Sequence, residues 1–216
     1  MKLFTPTADR TAPEPVLVEG VLRLFTAAAY FVLIVGAVKE LMVDPQRVSL
    51  LVLLAVESFT LGLLLFARVA WVRDLSPLAA ASSILATFYF VFLSLAPGQH
   101  LVPELAAVAI QGAGVGWQVW AKWTLGRSFG LLPAARGLVT TGPYRVVRHP
   151  IYLGYFIAHI GFLAANYSQR NLAVLCGLYL LQAVRMHLEE QVLMQDSSTY
   201  REYAAAVRWR FLPGVY

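Results

Sequence analysis

Leu75-Ser-Pro-Leu-Ala-Ala-Ala-Ser-Ser-Ile-Leu-Ala-Thr-Phe-Tyr-Phe-Val-Phe-Leu-Ser-Leu-Ala96 carries no charged side chain. As a helix rising 1.5 Å per residue, such a run reaches across the ~30 Å hydrocarbon core of a bilayer. Three more runs have the same character: Val21–Val38 with Arg23 near its start, Val48–Ala67 with Glu57, and Leu101–Ala121 with Glu104 near its beginning. Two later runs, Ile151–Ala165 and Leu172–Val184, are shorter and reach roughly 20–22 Å before flanking residues are added. The pattern predicts an all-α, polytopic integral membrane protein of about six transmembrane helices, the last two short.

Composition agrees. Of 216 residues, 59% are hydrophobic and 13% charged, against roughly 45–50% and 25% in soluble domains. A disordered chain, a coiled coil and a basic nucleic-acid module are excluded on that ground. The single cysteine, Cys176, excludes a disulfide framework and a multi-cysteine zinc site, and the four scattered histidines make no metal-ligand pattern. The first fifteen residues hold Pro6, Pro13, Pro15 and both charge signs but no apolar core, unlike a signal peptide.

The basic residues set an orientation. Lys122, Arg127, Arg136, Arg145 and Arg148 lie in a stretch without any acid between Glu104 and Glu189, which places that connection in the cytoplasm. Counting back, the Arg68–Asp74 linker is inside, and the Lys39–Arg47 and Gly98 linkers are outside. Both termini are then cytoplasmic.

The chain has two regions: membrane helices over 1–121, and a chemically denser part over 122–216 with two short membrane helices and a C-terminal interfacial helix. In the second, residues 122–149 form a long connection rich in Gly and Pro, expected to be ordered and ligand-facing. Arg148-His149-Pro150 opens the fifth run. Proline suits the first helical position, so His149 falls at the cap beside backbone N–H groups that attract anions. Arg185 and Glu189 are four apart on one helical face, with Glu190 adjacent. A basic helix end explains Arg148 equally well, but paired carboxylates at a membrane end call for a partner.

Leu138-Val-Thr-Thr-Gly-Pro-Tyr-Arg-Val-Val-Arg-His-Pro-Ile-Tyr-Leu-Gly154, Glu189-Glu190, Tyr200-x-x-Tyr203 and Arg210-Phe-Leu-Pro-Gly214 together resemble the isoprenylcysteine carboxyl methyltransferase family, whose superfamily includes phospholipid methyltransferases. The likeness covers about 122–214. It implies S-adenosyl-L-methionine bound without a Rossmann domain. The implied cofactor contacts are Arg136, Gly137, Leu138, Val139, Tyr144, Arg148, His149, Pro150, Ile151, Tyr152 and Glu189. It also implies Arg185 facing the methyl acceptor, with Glu189 and Glu190 completing the catalytic set.

The chemistry suits that cofactor. Arg, His and helix amides fit its carboxylate, glutamates its ammonium or ribose hydroxyls, and aromatic and aliphatic edges its adenine. Arg185 could hold a carboxylate acceptor bidentately, and such an acceptor needs no base at pH 7. The expected enzyme is a cytoplasm-facing membrane methyltransferase acting on a lipophilic acceptor drawn from the bilayer. The favoured acceptor is a prenylated cysteine carboxylate; the alternatives are a phospholipid amine or a small hydrophobic thiol or acid. A nicotinamide-dependent sterol-type reductase and a non-enzymatic membrane protein are the rival classes. Outside this constellation, Glu57 and His159 are expected to serve structure, Cys176 to pack, and Gly112 and Gly116 to allow close helix contact.

Overall fold

The computed structural model describes residues 14–65, 77–125, 138–196 and 198–216. Arg136 and Gly137, the Arg68–Asp74 linker and most of the glycine-rich connection lie outside the described residues. The described chain forms α1 (Glu14–Val43), α2 (Val48–Leu65), α3 (Pro77–Thr87), a 3₁₀ turn (Tyr89–Phe92), α4 (Glu104–Leu125), a second 3₁₀ turn (Gly142–Arg145), α5 (Pro150–Ala165), α6 (Gln169–Asp196) and α7 (Ser198–Ala206). It is helical, as expected, with one isolated β-bridge between Gln99 and Tyr167.

Two stretches are long and apolar enough to cross a membrane, Leu24–Val43 in α1 and Gln169–Gln191 in α6; Val48–Gly62 and Pro150–Ala165 are apolar but shorter. Among the described residues, the expected six spans are therefore matched by two of full length. α1 shows why such a helix belongs in lipid. Tyr30, Leu33 and Ala37 are buried against the protein, while Leu24, Phe25, Phe31 and Val32 stay exposed. An apolar outer face of this kind has no favourable place in water.

The uncharged run Leu75–Ala96 departs from expectation. Its helix stops at Thr87, because the next three residues, Phe88, Tyr89 and Phe90, are all buried. In the 3₁₀ turn that follows, Phe90 packs on Tyr30 with ring centroids 4.8 Å apart, and Tyr89 reaches Glu57 and His159. Beyond it, Ser94 is held by Asn171 through both its N–H and its carbonyl.

α6 exceeds the Leu172–Val184 run at both ends. Ser168 caps its start, its hydroxyl accepting the Asn171 N–H. The polar far end continues helical because Arg185 and Glu190 are buried there among partners.

α4 and α5 make the closest helix contact. A Cβ on Gly114 would stand 2.7 Å from Gly154 O, and one on Gly154 would stand 2.5 Å from Gln118 Cγ. Ala107, Gln111, Gly114, Gln118 and Ala121 form the buried seam of α4, at the alternating four and three spacing of one helix face. Gly112 and Gly116 lie off this seam with nothing near their Cβ positions, so they mediate no close contact among the described residues. Cys176, expected to pack, is exposed.

The helix order gathers the 44–47 linker, residues 93–103 and residues 166–168 at one end. Arg47 ties them together: its guanidinium donates to Asn166 Oδ1 (2.6 Å), the Leu95 carbonyl (2.7 Å) and Glu40 (3.2 Å). The linker expected to be a neutral outer loop thus holds a buried cation.

Valine at Gly114 should destabilise the protein by about 1–3 kcal/mol through overpacking, while Gly112→Val should leave stability nearly unchanged. Denaturant unfolding of both variants in detergent micelles checks this; equal losses would show that α4 and α5 do not meet at Gly114.

Candidate active site

The site forms at the end opposite Arg47. Leu138 and Val139 lead into the turn Gly142–Arg145, where Gly142 has φ +58°. Val139 packs with Tyr144, Ile151 and Ala121. The Tyr144 side chain is buried, and its carbonyl accepts the Tyr203 hydroxyl at 2.7 Å. Burial foremost pushes the Tyr203 phenol up to about 12, so it remains a proton donor near neutrality.

Arg148 and His149 lie alongside the C-terminal tail. Arg148 N–H donates to the Trp209 carbonyl (2.9 Å) and His149 N–H to the Arg210 carbonyl (2.8 Å). Pro150 then starts α5 with His149 at the cap position, as the sequence predicts. The His149 side chain makes no cap bond. It turns instead to Glu190.

Glu190, 2% exposed, is the centre of the cluster. His149 Nε2 lies 3.2 Å and Arg148 Nε 3.3 Å from its Oε1, and Arg210 Nε lies 2.8 Å from its Oε2. One buried carboxylate therefore binds the entry to α5 and the tail to α6. Two guanidiniums against one carboxylate leave a net positive charge beside the open amides of the α5 N-terminus, a setting that favours an anion.

Tyr152 organises the neighbouring face. Its ring stacks on His149 with centroids 5.7 Å apart and planes at 22°. The Arg185 guanidinium lies 5.6 Å from its centroid, and its hydroxyl hydrogen-bonds Glu189. Arg185 and Glu189 thus share a face around Tyr152, as their spacing predicts, while Glu190 points to the basic cluster. The two adjacent glutamates do different work.

Beneath Arg185 opens a small cavity. Arg185, Gln182, Tyr152 and Ile151 line it together with Tyr30, Glu57, Tyr89 and His159. It draws walls from both sides of residue 121. Of the site residues expected from sequence, Tyr152, Ile151 and Arg185 meet at this cavity, and Arg148, His149 and Glu190 meet in the basic cluster. Pro150 is buried between them in sequence. Sequence reading placed Arg210 in the Arg210-Phe-Leu-Pro-Gly214 motif but gave it no role in the site. Nor did it place Tyr30 or Tyr89, whose signal is only a tyrosine inside an apolar run.

Residues 105–201 match the family model of phospholipid methyltransferase, the family shared with isoprenylcysteine carboxyl methyltransferases. The resemblance seen in the motifs stands at that level. The matched segment takes in most of α4, all of α5 and α6, and the start of α7; Arg210 lies beyond it. No curated protein and no solved structure matches the chain.

Replacing Glu190 with glutamine should cost about 3–5 kcal/mol, because it strips the buried cations of their counter-charge. Glu189→Gln should cost under about 1 kcal/mol, as expected away from a buried ion cluster. Unfolding midpoints in micelles test this; similar losses for both would refute the division of labour between the two.

Proposed function

We propose that the chain is a membrane methyltransferase that uses S-adenosyl-L-methionine and accepts a lipid-like substrate from the bilayer. The observation that carries this reading is Arg185, buried on α6 between Tyr152 and the cavity, beside the basic cluster in the segment that matches the family. When bound, the cofactor supplies an electrophilic methyl group on a sulfonium.

The residues fit that cofactor by their chemistry. The positive cluster of Arg148, His149 and Arg210 and the first amides of α5 suit its carboxylate. Glu189, half-exposed, suits its ammonium or ribose hydroxyls. The apolar patch of Leu138, Val139, Tyr144 and Ile151 suits adenine. Arg136 and Gly137 are assigned to the same site from the resemblance alone.

Arg185 is the acceptor's anchor. Its forked donors hold a carboxylate or phosphate oxygen pair, and its positive charge keeps that group on the side away from a sulfonium. The favoured acceptor is the α-carboxylate of a prenylated cysteine, which yields a methyl ester and releases no proton. A phospholipid amine is the second reading, favoured by the family that matches residues 105–201. Methylating an amine releases a proton that the site must take up. In both cases alignment of nucleophile and methyl carbon does most of the catalytic work.

The basic end of the molecule, with the site and both termini, faces the cytoplasm in this reading. Cysteines placed at Arg145 and at Gln99, in a Cys176→Ser background, should label from opposite sides of sealed vesicles. Labelling from one side would refute it.

Purified protein in nanodiscs with methyl-labelled S-adenosylmethionine should methylate S-farnesylcysteine, and base should release the label as methanol. Label that resists base and appears on phosphatidylethanolamine would select the amine reading; no transfer to either, with no S-adenosylhomocysteine binding, would defeat the proposal. His149→Ala should weaken S-adenosylhomocysteine binding by about ten- to hundredfold, the worth of one charged hydrogen bond, and Tyr144→Ala should weaken it in the same direction by removing apolar contact. Arg185→Lys should retain that binding but lose most transfer, since lysine keeps charge without the fork.

A further inference from the structure

We infer that Gln182 is a specificity residue of the cavity below Arg185: its side-chain carbonyl accepts a hydrogen bond from a neutral N–H or O–H group on the molecule that enters. The inference rests on the methyl-transfer reading above only in taking that molecule to be the methyl acceptor.

Gln182 lies on α6, with Leu178 one turn before it and Arg185 one turn after. Spacings of four and three put these residues on one helical face, and all three line the cavity. Gln182 is 5% exposed. Its Oε1 is shut off from solvent and meets no hydrogen-bond donor among the described residues. Gln111, Trp117 and Gln118 also carry a buried polar atom without such a partner, but none of them lines the cavity.

Other donors on the lining are engaged elsewhere. A phenol carries one proton, and those of Tyr30 and Tyr89 go to Glu57. The Tyr152 hydroxyl bonds Glu189, and both ring nitrogens of His159 meet tyrosine hydroxyls. Glu57, the other strong acceptor here, has two tyrosine protons and the charge of Lys122 turned to it. Gln182 Oε1 is thus the acceptor whose donor has still to arrive.

A buried carbonyl without a donor bears its desolvation penalty in full, and an apolar side chain of similar length would avoid it. Such an atom on the wall of a cavity has a use when the ligand supplies the donor. The amide is neutral, so it favours a donor without favouring a cation, while Arg185 one turn on favours an anion. The face therefore separates molecules that differ by a single donor: N–H from N–CH₃, or O–H from C–H.

The test uses the full chain in phosphatidylcholine nanodiscs, with Gln182→Met as the variant. Without ligand, the variant should unfold about 2–4 °C higher than the parent, because the unserved carbonyl is gone. Binding is then read by tryptophan fluorescence for two pairs of anionic amphiphiles: N-oleoylglycine against N-oleoylsarcosine, and 2-hydroxypalmitate against palmitate. Losing the donor enlarges the molecule in the first pair and shrinks it in the second, so size alone cannot favour the donor in both. The parent should bind the donor-bearing member roughly tenfold more tightly in each pair. Gln182→Met should bring both preferences below about twofold. A lower unfolding midpoint or failure to fold in Gln182→Met marks the amide as structural and overturns the inference. So does equal binding, or none, within either pair by the parent, and so does a preference that survives in the variant. Methyl transfer separates the two claims. Donor preferences that need Gln182, without S-adenosylhomocysteine binding or transfer to any acceptor, sink the enzymatic reading and leave this role standing. Methyl transfer by a parent that binds both members of each pair equally does the opposite.

Discussion

Three nitrogen-bearing side chains converge on the Glu190 carboxylate, and the geometry of the active end follows from that convergence. A carboxylate this buried is tolerable only with its charge answered at close range. Arg148 and His149 answer it from the start of α5, and Arg210 from the tail. The tail is thereby laid along residues 148–149, where two backbone hydrogen bonds register it. With His149 fixed, Tyr152 stacks on it, and Tyr152 in turn sets the surroundings of Arg185 and Glu189. Phe211 closes the arrangement by packing against Phe156 and Tyr179.

The opposite end is held by comparable means. Arg47 and Asn166 join the α1–α2 linker to the α5–α6 turn, and Asn166 also donates to Ser49. Between the two polar ends lies an apolar core of Leu33, Leu50, Leu53, Phe90 and Phe162, together with the glycine seam of α4 and α5. The cavity occupies the region where that core gives way to tyrosines, Glu57 and His159.

Much of this was readable in the sequence, for identifiable reasons. Pro150 announces the start of α5, since proline is at home only in a first turn, and the four-residue spacing of Arg185 and Glu189 gave their common face. His159 was expected to serve structure, and its two ring nitrogens meet the Tyr89 and Tyr179 hydroxyls. The failures share a cause. Hydropathy cannot distinguish residues buried in lipid from residues buried in protein, so Leu75–Ala96 read as one spanning helix although Phe88, Tyr89 and Phe90 all turn into the core. The same blindness ended the apolar run at Val184, although the spacing of Arg185 and Glu189 already carried the helix further. Glu189 and Glu190 are indistinguishable by type; only the approach of Arg210, from far along the chain, separates them. Glu57 finds its tyrosines on α1 and on the turn after α3, a meeting no local pattern encodes.

Lys122 bears on how the protein is made. Its ammonium is satisfied by Gln118 on its own helix, by Thr60 on α2 and by Tyr155 on α5. Ribosomes deliver Thr60 before α4 and Tyr155 after it. While α5 is still unmade, α4 carries an ammonium short of one acceptor, with Gln111 and Gln118 on the seam its partner will fill. At roughly 5–20 residues per second of synthesis, the missing partner arrives seconds later. The polar face of α4 is therefore complete only once α5 is made, and the glycines that let the two helices touch also bring the last acceptor to the ammonium.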